Sequence, residues 1–174
     1  IPIEAALIGH NIAPGINRDF QCERWINLMP ENLSDDVRDE ADAKADYDIE
    51  LDIHGYDIDQ NMIDIAQRNC QAAGLTHDIT FKQLAVKDWP TDKINGVIVA
   101  NPPYGERLSD QESVRELYRQ MGEIYRPMTT WSKYILTADL EFETYYGQKA
   151  TKRRKLYNGA LRTDLFQYWG QKQR

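Results

Sequence analysis

Apolar residues near the start of the chain recur at the spacing of a helix that packs one face on a core. This face comprises Ile3, Ala6 and Leu7. Pro2 suits the first turn of that helix, and Gly9 interrupts it. Ser34 is a candidate N-cap for a second helix over residues 35–45, which is rich in alanine and acidic residues. We expect most of that second helix to face solvent.

The middle and end of the chain alternate between strand and helix patterns. A strand over 51–58 precedes a helix over 60–73, which Asp59 would cap and Gly74 would end. The other predicted elements are strands at 79–84, 96–100, 134–138, 156–157 and 165–169, and a helix at 112–125. The run GVIVA at 96–100 is typical of a strand buried on both faces. This alternation predicts a doubly wound α/β fold with a mostly parallel sheet.

Charge is unevenly distributed along the 174 residues, whose formal net charge is −7. Residues 31–50 contain nine acidic residues against Arg38 and Lys44, whereas residues 147–174 contain eight basic residues against Asp164. The pI near 5.0 argues against a general polyanion binder. A local basic tail remains compatible with a specific nucleic-acid contact.

Composition also excludes several classes of protein. No run approaches the roughly 18 apolar residues of a membrane span. Cys22 and Cys70 cannot form a disulfide framework, and no metal-ligand spacing occurs. We therefore expect a cytoplasmic protein with neither a membrane partner nor a metal. The uncapped apolar start at Ile1 leads us to expect a further segment upstream.

The string GYDID follows the strand predicted before the capped helix. In open parallel sheets, ligands bind beyond the carboxyl ends of the strands. The two oxygens of Asp57 match two vicinal ribose hydroxyls of a bound nucleoside. Because Asp59 already supplies the helix cap, we assign Asp57 the ribose role. This pattern suits nicotinamide enzymes as well as methyltransferases.

A second candidate site, Asn101-Pro102-Pro103-Tyr104, directly follows the predicted buried strand. The prolines rigidify the loop. The Asn101 side-chain oxygen and the Pro102 carbonyl can accept both hydrogens of one exocyclic amino group, which orients its lone pair. Tyr104 offers a flat face on which an extruded base can stack. The alternative is a rigid turn with a surface tyrosine.

These four residues resemble the (Asp/Asn)-Pro-Pro-(Tyr/Phe) motif of class I S-adenosylmethionine (SAM)-dependent amino methyltransferases. The longer string NPPYGERL is similar to the subgroup that bears an N-terminal THUMP domain and methylates guanine N2 in bacterial 23S ribosomal RNA. Members of that subgroup are often labelled adenine-specific DNA methylases. The strings IPIEAALIGHNIAPG, GYDID and KRRKLYNG extend the resemblance over essentially the whole chain.

The resemblance implies a Rossmann-like fold, SAM as cofactor and ribosomal RNA as partner. Asn101 and Pro102 would hold the target amino group, Tyr104 would stack on the base and Pro103 would rigidify the loop. Asp57 would bind the cofactor ribose, and Ile58 would pack on its adenine. The transfer would be in-line, from sulfonium to nitrogen, with proximity and orientation providing most of the catalysis.

Two features depart from the family pattern. The family's SAM-binding glycine loop and first strand would precede Ile1, so residues 1–174 would form an N-terminally incomplete catalytic domain with a THUMP domain upstream. The family often has an aspartate after its third strand that contacts the cofactor's adenine amino group. Ala85 occupies that position and Asp88 follows. Backbone groups of Ala85, or the side chain of Asp88, could substitute.

Several alternatives remain open from the sequence. Adenine N6 methylation of DNA or RNA is the nearest, and a nicotinamide oxidoreductase or a non-catalytic RNA-binding relic belongs to another class. Arg107 could reach a phosphate or form a structural ion pair. A basic cluster could hold RNA phosphates or form a solvated loop; it comprises Lys149, Lys152, Arg153, Arg154 and Lys155.

Overall fold

A computed structural model describes residues 1–25, 27, 28, 30, 32–90, 92–104 and 111–171. The chain divides into two compact units, Ile1–Gln83 and Leu84–Arg174. Each unit has its own sheet and its own apolar core.

The first unit contains a parallel pair of strands with helices around it. Its main elements are α1 (Pro2–Gly9), α2 (Leu33–Asp42), β1 (Ile53–Asp57), α3 (Gln60–Ala72) and β2 (Ile79–Gln83). The parallel register aligns Ile53 with Ile79 and Asp57 with Gln83. The core of this unit is formed by Ala6, Cys70, Leu75 and Ile79.

The boundaries of α3 confirm the predicted helix and its cap. The Asp59 side chain accepts a hydrogen bond from the Asn61 backbone N–H at 2.9 Å. Gly74 follows the helix with a φ of 75°, the left-handed conformation that glycine adopts without strain. The predicted cap of α2 is wrong, because Asn32 holds the N-cap position and Ser34 lies inside the helix.

His10, at the end of α1, is a buried polar residue that the sequence pattern did not identify. Its Nδ1 lies 2.9 Å from the Asp46 carbonyl oxygen, and its Nε2 lies 2.9 Å from Asp78 Oδ1. The carbonyl of Asp46 and the carboxylate of Asp78 raise the pKa of His10 against the opposing effect of burial. The imidazolium thus ties the start of the unit to two later loops.

The second unit contains a four-stranded sheet in the order β3-β4-β6-β5. Its main elements are β3 (Gly96–Ala100), α4 (Gln111–Tyr125), β4 (Trp131–Thr137), α5 (Phe142–Tyr146), β5 (Lys152–Asn158) and β6 (Leu161–Tyr168). β3 and β4 are parallel, whereas β6 pairs antiparallel with both β4 and β5. The antiparallel pairing of β5 and β6 arises because only Gly159 and Ala160 connect the two strands.

The aromatic core of the second unit packs on one face of this sheet. Its most buried members include Tyr118, Met121, Ile135, Phe142, Tyr146 and Phe166. The prediction that β3 is buried on both faces is wrong. Ile98 is 4% exposed, but Val97 and Val99, on the opposite face, are 62% and 52% exposed.

Parallel strand pairing, as predicted, occurs in both units. The parallel pairs β1–β2 and β3–β4 carry the Rossmann-like character. The structure places a second helix and a basic hairpin after this parallel part. Both late strands are longer than the predicted segments at 156–157 and 165–169.

Candidate active site

The residues 101–104 form an irregular loop at the carboxyl end of β3. Asn101 and Pro103 are exposed, and Pro102 and Tyr104 are half-buried. The Tyr104 hydroxyl donates a 2.6 Å hydrogen bond to Asn101 Oδ1. This bond occupies the same acceptor that the sequence assigns to a substrate amino group. A substrate amino group would therefore have to replace the Tyr104 hydroxyl as the hydrogen-bond donor to Asn101 Oδ1.

Tyr118 on α4 connects this loop to the core of the second unit by a hydrogen bond. Its side chain is completely buried, and its hydroxyl donates to the Pro103 carbonyl oxygen at 3.0 Å. Thr137 Oγ1, at the end of β4, lies 2.9 Å from the same hydroxyl. Because Tyr118 has one hydrogen, which Pro103 accepts, Thr137 donates to the tyrosine oxygen. One tyrosine thus connects the ends of two neighbouring parallel strands.

The environment of Tyr118 favours the protonated form of its phenol. Burial raises the pKa of Tyr118, and the nearby groups Asp139 and Tyr104 raise it further. The phenol therefore keeps its proton at neutral pH, as donation to the Pro103 carbonyl requires.

A cavity of about 300 Å³ opens beside Tyr104. Its walls include Tyr104, Val114, Arg115, Asp139 and Glu141. These residues come from the loop after β3, from α4 and from the segment after β4. The cavity therefore lies where an open parallel sheet binds its ligands, beyond the carboxyl ends of adjacent strands. The size is at the lower end of that of small-molecule pockets.

The first unit carries the residues predicted to hold a nucleoside. Asp57 ends β1, and its Oδ1 accepts the Asp59 backbone N–H at 2.9 Å. The neighbouring Ile58 is 71% exposed, and its carbonyl accepts a 2.9 Å hydrogen bond from Gln83 Nε2. An exposed carboxylate and an exposed apolar side chain are thus adjacent at one strand end. A bound nucleoside needs both features, a carboxylate for its ribose hydroxyls and an apolar surface for its purine ring.

Ala85 and Asp88 lie at the two ends of a short 3₁₀ turn at the start of the second unit. Ala85 occupies the N-cap position, and its carbonyl accepts the Asp88 backbone N–H at 3.0 Å. The Asp88 side chain is exposed. Both candidates for the adenine contact therefore sit on one turn, and the choice between them stays a prediction.

The basic cluster lies on a strand, not in the solvated loop that was the alternative prediction. Residues 152–155 belong to β5, the edge strand of the sheet. Arg153 faces the core side, where its guanidinium lies 4.7 Å from the centre of the Phe166 ring. Lys152 and Arg154 point to the other face because side chains alternate along a strand. Lys149 precedes the strand, and Arg107 lies outside the described residues.

Arg153 differs from its neighbours because it is paired with a buried acid. Asp164, on β6, is 1% exposed and binds the guanidinium groups of Arg153 and Arg162. Burial by itself would raise the pKa of Asp164, but hydrogen bonds from the two arginines outweigh that effect and lower it. Arg153 therefore has a structural partner. The described part of the chain places no carboxylate within ion-pair distance of Lys152 or Arg154.

Three residues at the site were missed by sequence reasoning, namely Tyr118, Thr137 and Asp139. Tyr118 belongs to the apolar stripe of α4 and has the same pattern as a purely packing tyrosine. Thr137 lies within the strand predicted at 134–138, and Asp139 directly follows that strand. Their position at the end of a parallel strand next to β3 was the available signal.

The described residues lack two further features. They contain no group of three His, Cys, Asp or Glu side chains arranged to hold a metal ion. None of the described helices has both the length and the apolar character that crossing a membrane requires.

Comparison with known sequences identifies close relatives. A Bacillus subtilis protein named "Putative RNA methyltransferase YpsC" is 52% identical over 169 residues, which are 97% of this chain and 44% of the relative. A Shewanella amazonensis protein named ribosomal RNA large subunit methyltransferase K/L is 37% identical over 164 residues, covering 91% of this chain and 23% of the relative. The chain thus spans less than half the length of these relatives.

Two solved structures share the fold over almost the whole chain. The crystal structure of SMU.472, titled a putative methyltransferase complexed with SAH, has a TM-score of 0.94 and 53% identity, and the match covers 99% of this chain and 46% of that one. A Listeria monocytogenes structure titled a predicted N6-adenine-specific DNA methylase has a TM-score of 0.91 and 57% identity, covering 98% and 44%.

The family model UPF0020, described as an RMKL-like methyltransferase domain, matches residues 1–167. With the loop Asn101–Tyr104 at the end of β3 and this match over nearly its full length, the chain belongs to the RMKL-like methyltransferase domain family.

Proposed function

We propose that this chain transfers a methyl group from SAM to the exocyclic N2 amino group of a guanine in 23S ribosomal RNA. The observation that carries the proposal is the Asn101-Pro102-Pro103-Tyr104 loop at the carboxyl end of β3 in a member of the RMKL-like family. Relatives named as RNA and ribosomal RNA methyltransferases support RNA as the substrate.

The loop performs its part by orienting the amino group. Asn101 Oδ1 and the Pro102 carbonyl accept the two hydrogens of the target nitrogen, which directs its lone pair toward the methyl carbon. In the structure Asn101 Oδ1 accepts the Tyr104 hydroxyl at 2.6 Å. Entry of the amino group replaces that donor and releases the ring of Tyr104 to stack on the base. Most of the rate enhancement then comes from position and orientation.

SAM would supply an electrophilic methyl carbon on a sulfonium centre. The chain's own residues fit its nucleoside part, since Asp57 has a carboxylate oxygen that is not the one bonded to the Asp59 backbone. That oxygen and the exposed Ile58 side chain offer a ribose acceptor and an apolar surface for adenine. We assign the remaining adenine contact to the turn at Ala85.

Binding of SAM can be tested with a matched pair of carboxylate variants. Asp57→Asn should weaken SAM binding by about 10-fold or more, because a ribose hydroxyl loses a charged acceptor. Asp59→Asn keeps a competent helix cap and should leave SAM affinity within about 2-fold. Equal affinity in both variants, measured by calorimetry on the full-length protein, would contradict the role of Asp57.

Adenine N6 methylation is the second candidate. The name of the Listeria structure favours it, and both reactions use the same loop chemistry. A nicotinamide oxidoreductase would leave the Asn101–Tyr104 loop without a role.

We further propose that residues 1–174 are the catalytic part of a longer cytoplasmic protein whose THUMP domain provides most of the RNA binding. The support is that the chain covers only 44% of the YpsC relative. The exposed basic residues on β5 would add phosphate contacts to that domain.

The deciding experiment supplies full-length protein with methyl-labelled SAM and ribosomal RNA from a strain that lacks the gene. Digestion to nucleosides should place the label in N2-methylguanosine. Asn101→Ala should lower kcat/KM by about 100-fold, a loss typical of removing one oriented group from a reaction centre. Asn95→Ala is the control, since Asn95 is exposed before the amino end of the same strand. Asn101→Ala with full activity would refute the role of the loop.

A further inference from the structure

The cavity beside Tyr104 contains an acidic side chain that the methyl-transfer proposal does not use. Asp139 lies two residues beyond the end of β4 and lines the same cavity as Tyr104. Its backbone N–H donates to Thr137 Oγ1 at 3.1 Å, and its Oδ1 accepts the Glu141 backbone N–H at 2.8 Å. The second carboxylate oxygen has no hydrogen-bond partner among the residues that the structure describes.

The position of Asp139 is fixed by the group that fixes the Asn101–Tyr104 loop. The Tyr118 hydroxyl contacts both the Pro103 carbonyl and Thr137 Oγ1. Thr137 in turn accepts the Asp139 backbone N–H. The loop that holds the amino group and the turn that presents Asp139 are therefore tied to one buried phenol. This connection holds both walls of the cavity in one geometry.

The two acids of the cavity differ in their neighbours. The Glu141 carboxylate lies 3.7 Å from the Arg115 guanidinium, which also lies 4.9 Å from the centre of the Tyr145 ring. No cation pairs with Asp139 among the described side chains. Of the two acids, Asp139 is thus the one without a cationic partner in the described part of the chain. As a carboxylate it can only accept hydrogen bonds.

A hydrogen-bond acceptor next to Asn101 and Pro102, which hold the amino group, would distinguish among the nucleobases that carry such a group. Next to the amino-bearing carbon, guanine has an N1–H, whereas adenine has the N1 lone pair and cytosine has the N3 lone pair. A carboxylate attracts the ring N–H and repels a ring lone pair. Of these three bases, only guanine can therefore satisfy Asn101, Pro102 and a neighbouring carboxylate together.

We propose that Asp139 is a specificity-determining residue that accepts the N1–H of the target guanine while Asn101 and Pro102 hold its N2 amino group. This inference rests on the proposed methyl transfer and selects between its two candidate bases. Discrimination arises from an attractive contact with guanine and a repulsive one with adenine.

The test removes either the Asp139 carboxylate from the protein or the N1–H from the target base. After the methylated guanosine has been mapped, the same RNA segment is synthesised with guanosine or with 2-aminopurine riboside at that position. 2-Aminopurine keeps the 2-amino group but has a lone pair at N1. We expect the wild-type full-length protein to prefer guanosine by roughly 10- to 100-fold in kcat/KM.

Asp139→Asn should reduce that preference to within about 3-fold, because an amide can donate to the N1 lone pair as well as accept from N1–H. Glu141→Gln, in the same cavity, should leave the preference unchanged. The ratio of two substrates with one preparation does not depend on the fraction of folded protein. A wild-type ratio near one, or an unaltered ratio in Asp139→Asn, would overturn the inference.

The same experiment separates this inference from the proposed function. Wild-type protein that transfers no label to RNA would refute the methyl-transfer proposal itself. Label in N6-methyladenosine would refute both. Label in N2-methylguanosine with no effect of Asp139→Asn on base preference would refute only the role of Asp139.

Discussion

The buried hydroxyl of Tyr118 donates a hydrogen bond of 3.0 Å to the carbonyl oxygen of Pro103, fifteen residues earlier in the chain. This contact joins the core of the second unit to the loop that carries the candidate acceptors. The loop itself has no regular secondary structure from Asn101 to Tyr104. Its geometry therefore depends on the prolines and on the packing of α4.

Replacing Tyr118 by phenylalanine should separate catalysis from stability. The Pro103 carbonyl would lose the donor it has in the core, at a cost of about 1 kcal/mol in the free energy of unfolding. Because the loop would no longer be held in one geometry, kcat should fall about 10-fold while KM for RNA stays nearly constant.

Tyr168→Phe is the matched control for Tyr118→Phe. Tyr168 is also a buried tyrosine of the second unit, and its hydroxyl donates to the Gln148 carbonyl at 3.1 Å. It should lose a similar amount of stability but keep its kcat. Equal kcat in the two variants at matched folded fractions would show that Tyr118 only stabilises the core.

The candidate site could be predicted where its residues were local in sequence. Asn101 follows a β-branched strand, and the order Asn-Pro-Pro-Tyr restricts the backbone without reference to the rest of the chain. Tyr118 could not be predicted, because its stripe position on α4 is also that of the packing residue Tyr125. Only the tertiary structure reveals which of these phenols reaches a backbone carbonyl.

The fold shows the same limit at β5. Residues 152–155 are four successive basic residues, so this part of the strand lacks the alternation of apolar and polar residues that predicts a strand. The structure accommodates them because β5 is an edge strand, where charged side chains are tolerated. The guanidinium of Arg153 lies over the Phe166 ring on the core side, and Asp164 neutralises its charge.

Gly122 on α4 should not tolerate even an alanine. A Cβ at this position would overlap the backbone carbonyl oxygen of Tyr146, so α4 and α5 would have to separate. Alanine normally stabilises a helix by about 1 kcal/mol relative to glycine. We nevertheless expect Gly122→Ala to lower the free energy of unfolding by about 1–3 kcal/mol in a urea titration.

The exposed neighbour provides the comparison for Gly122. Glu123→Ala changes the same turn of α4 on its solvent side and should alter stability by no more than about 0.5 kcal/mol. If Gly122→Ala proved as stable as the wild type, the close packing of α4 on α5 would be incorrect.

Stability of the first unit should depend on pH through His10. Both partners of the ring, the Asp46 carbonyl and the Asp78 carboxylate, are acceptors, so only the imidazolium can donate to both. The folded-state pKa is raised above the ordinary value of 6.5. The resulting stabilisation is therefore complete below pH 6.5 and is lost as the pH rises through the raised pKa.

Chemical denaturation of His10→Gln and of wild type at several pH values tests this dependence. The variant should be destabilised by about 1–3 kcal/mol at acidic pH, and the difference should shrink toward alkaline pH. His77→Gln, at an exposed histidine one residue before Asp78, should show neither effect. A difference between wild type and His10→Gln that did not change with pH would exclude the charged hydrogen-bond pair.

RNA binding should depend on the exposed basic side chains of β5 and not on the net charge of the protein. Lys152 and Arg154 share a face of the edge strand, and the described residues offer them no carboxylate partner. If they contact phosphates, the double variant Lys152→Gln/Arg154→Gln should weaken RNA binding at 0.1 M salt about 10-fold. The slope of log K against log salt should fall by about 1 for each lost contact.

A second double variant, Arg24→Gln/Arg68→Gln, removes the same net charge from exposed positions of the first unit. It should change RNA affinity by less than about 2-fold and leave the salt slope unaltered, because long-range charge is screened within roughly 10 Å at 0.1 M salt. Arg153 is not a suitable target, since its removal would leave Asp164 buried with a single cation. Identical salt slopes for the two double variants would assign RNA binding to another surface.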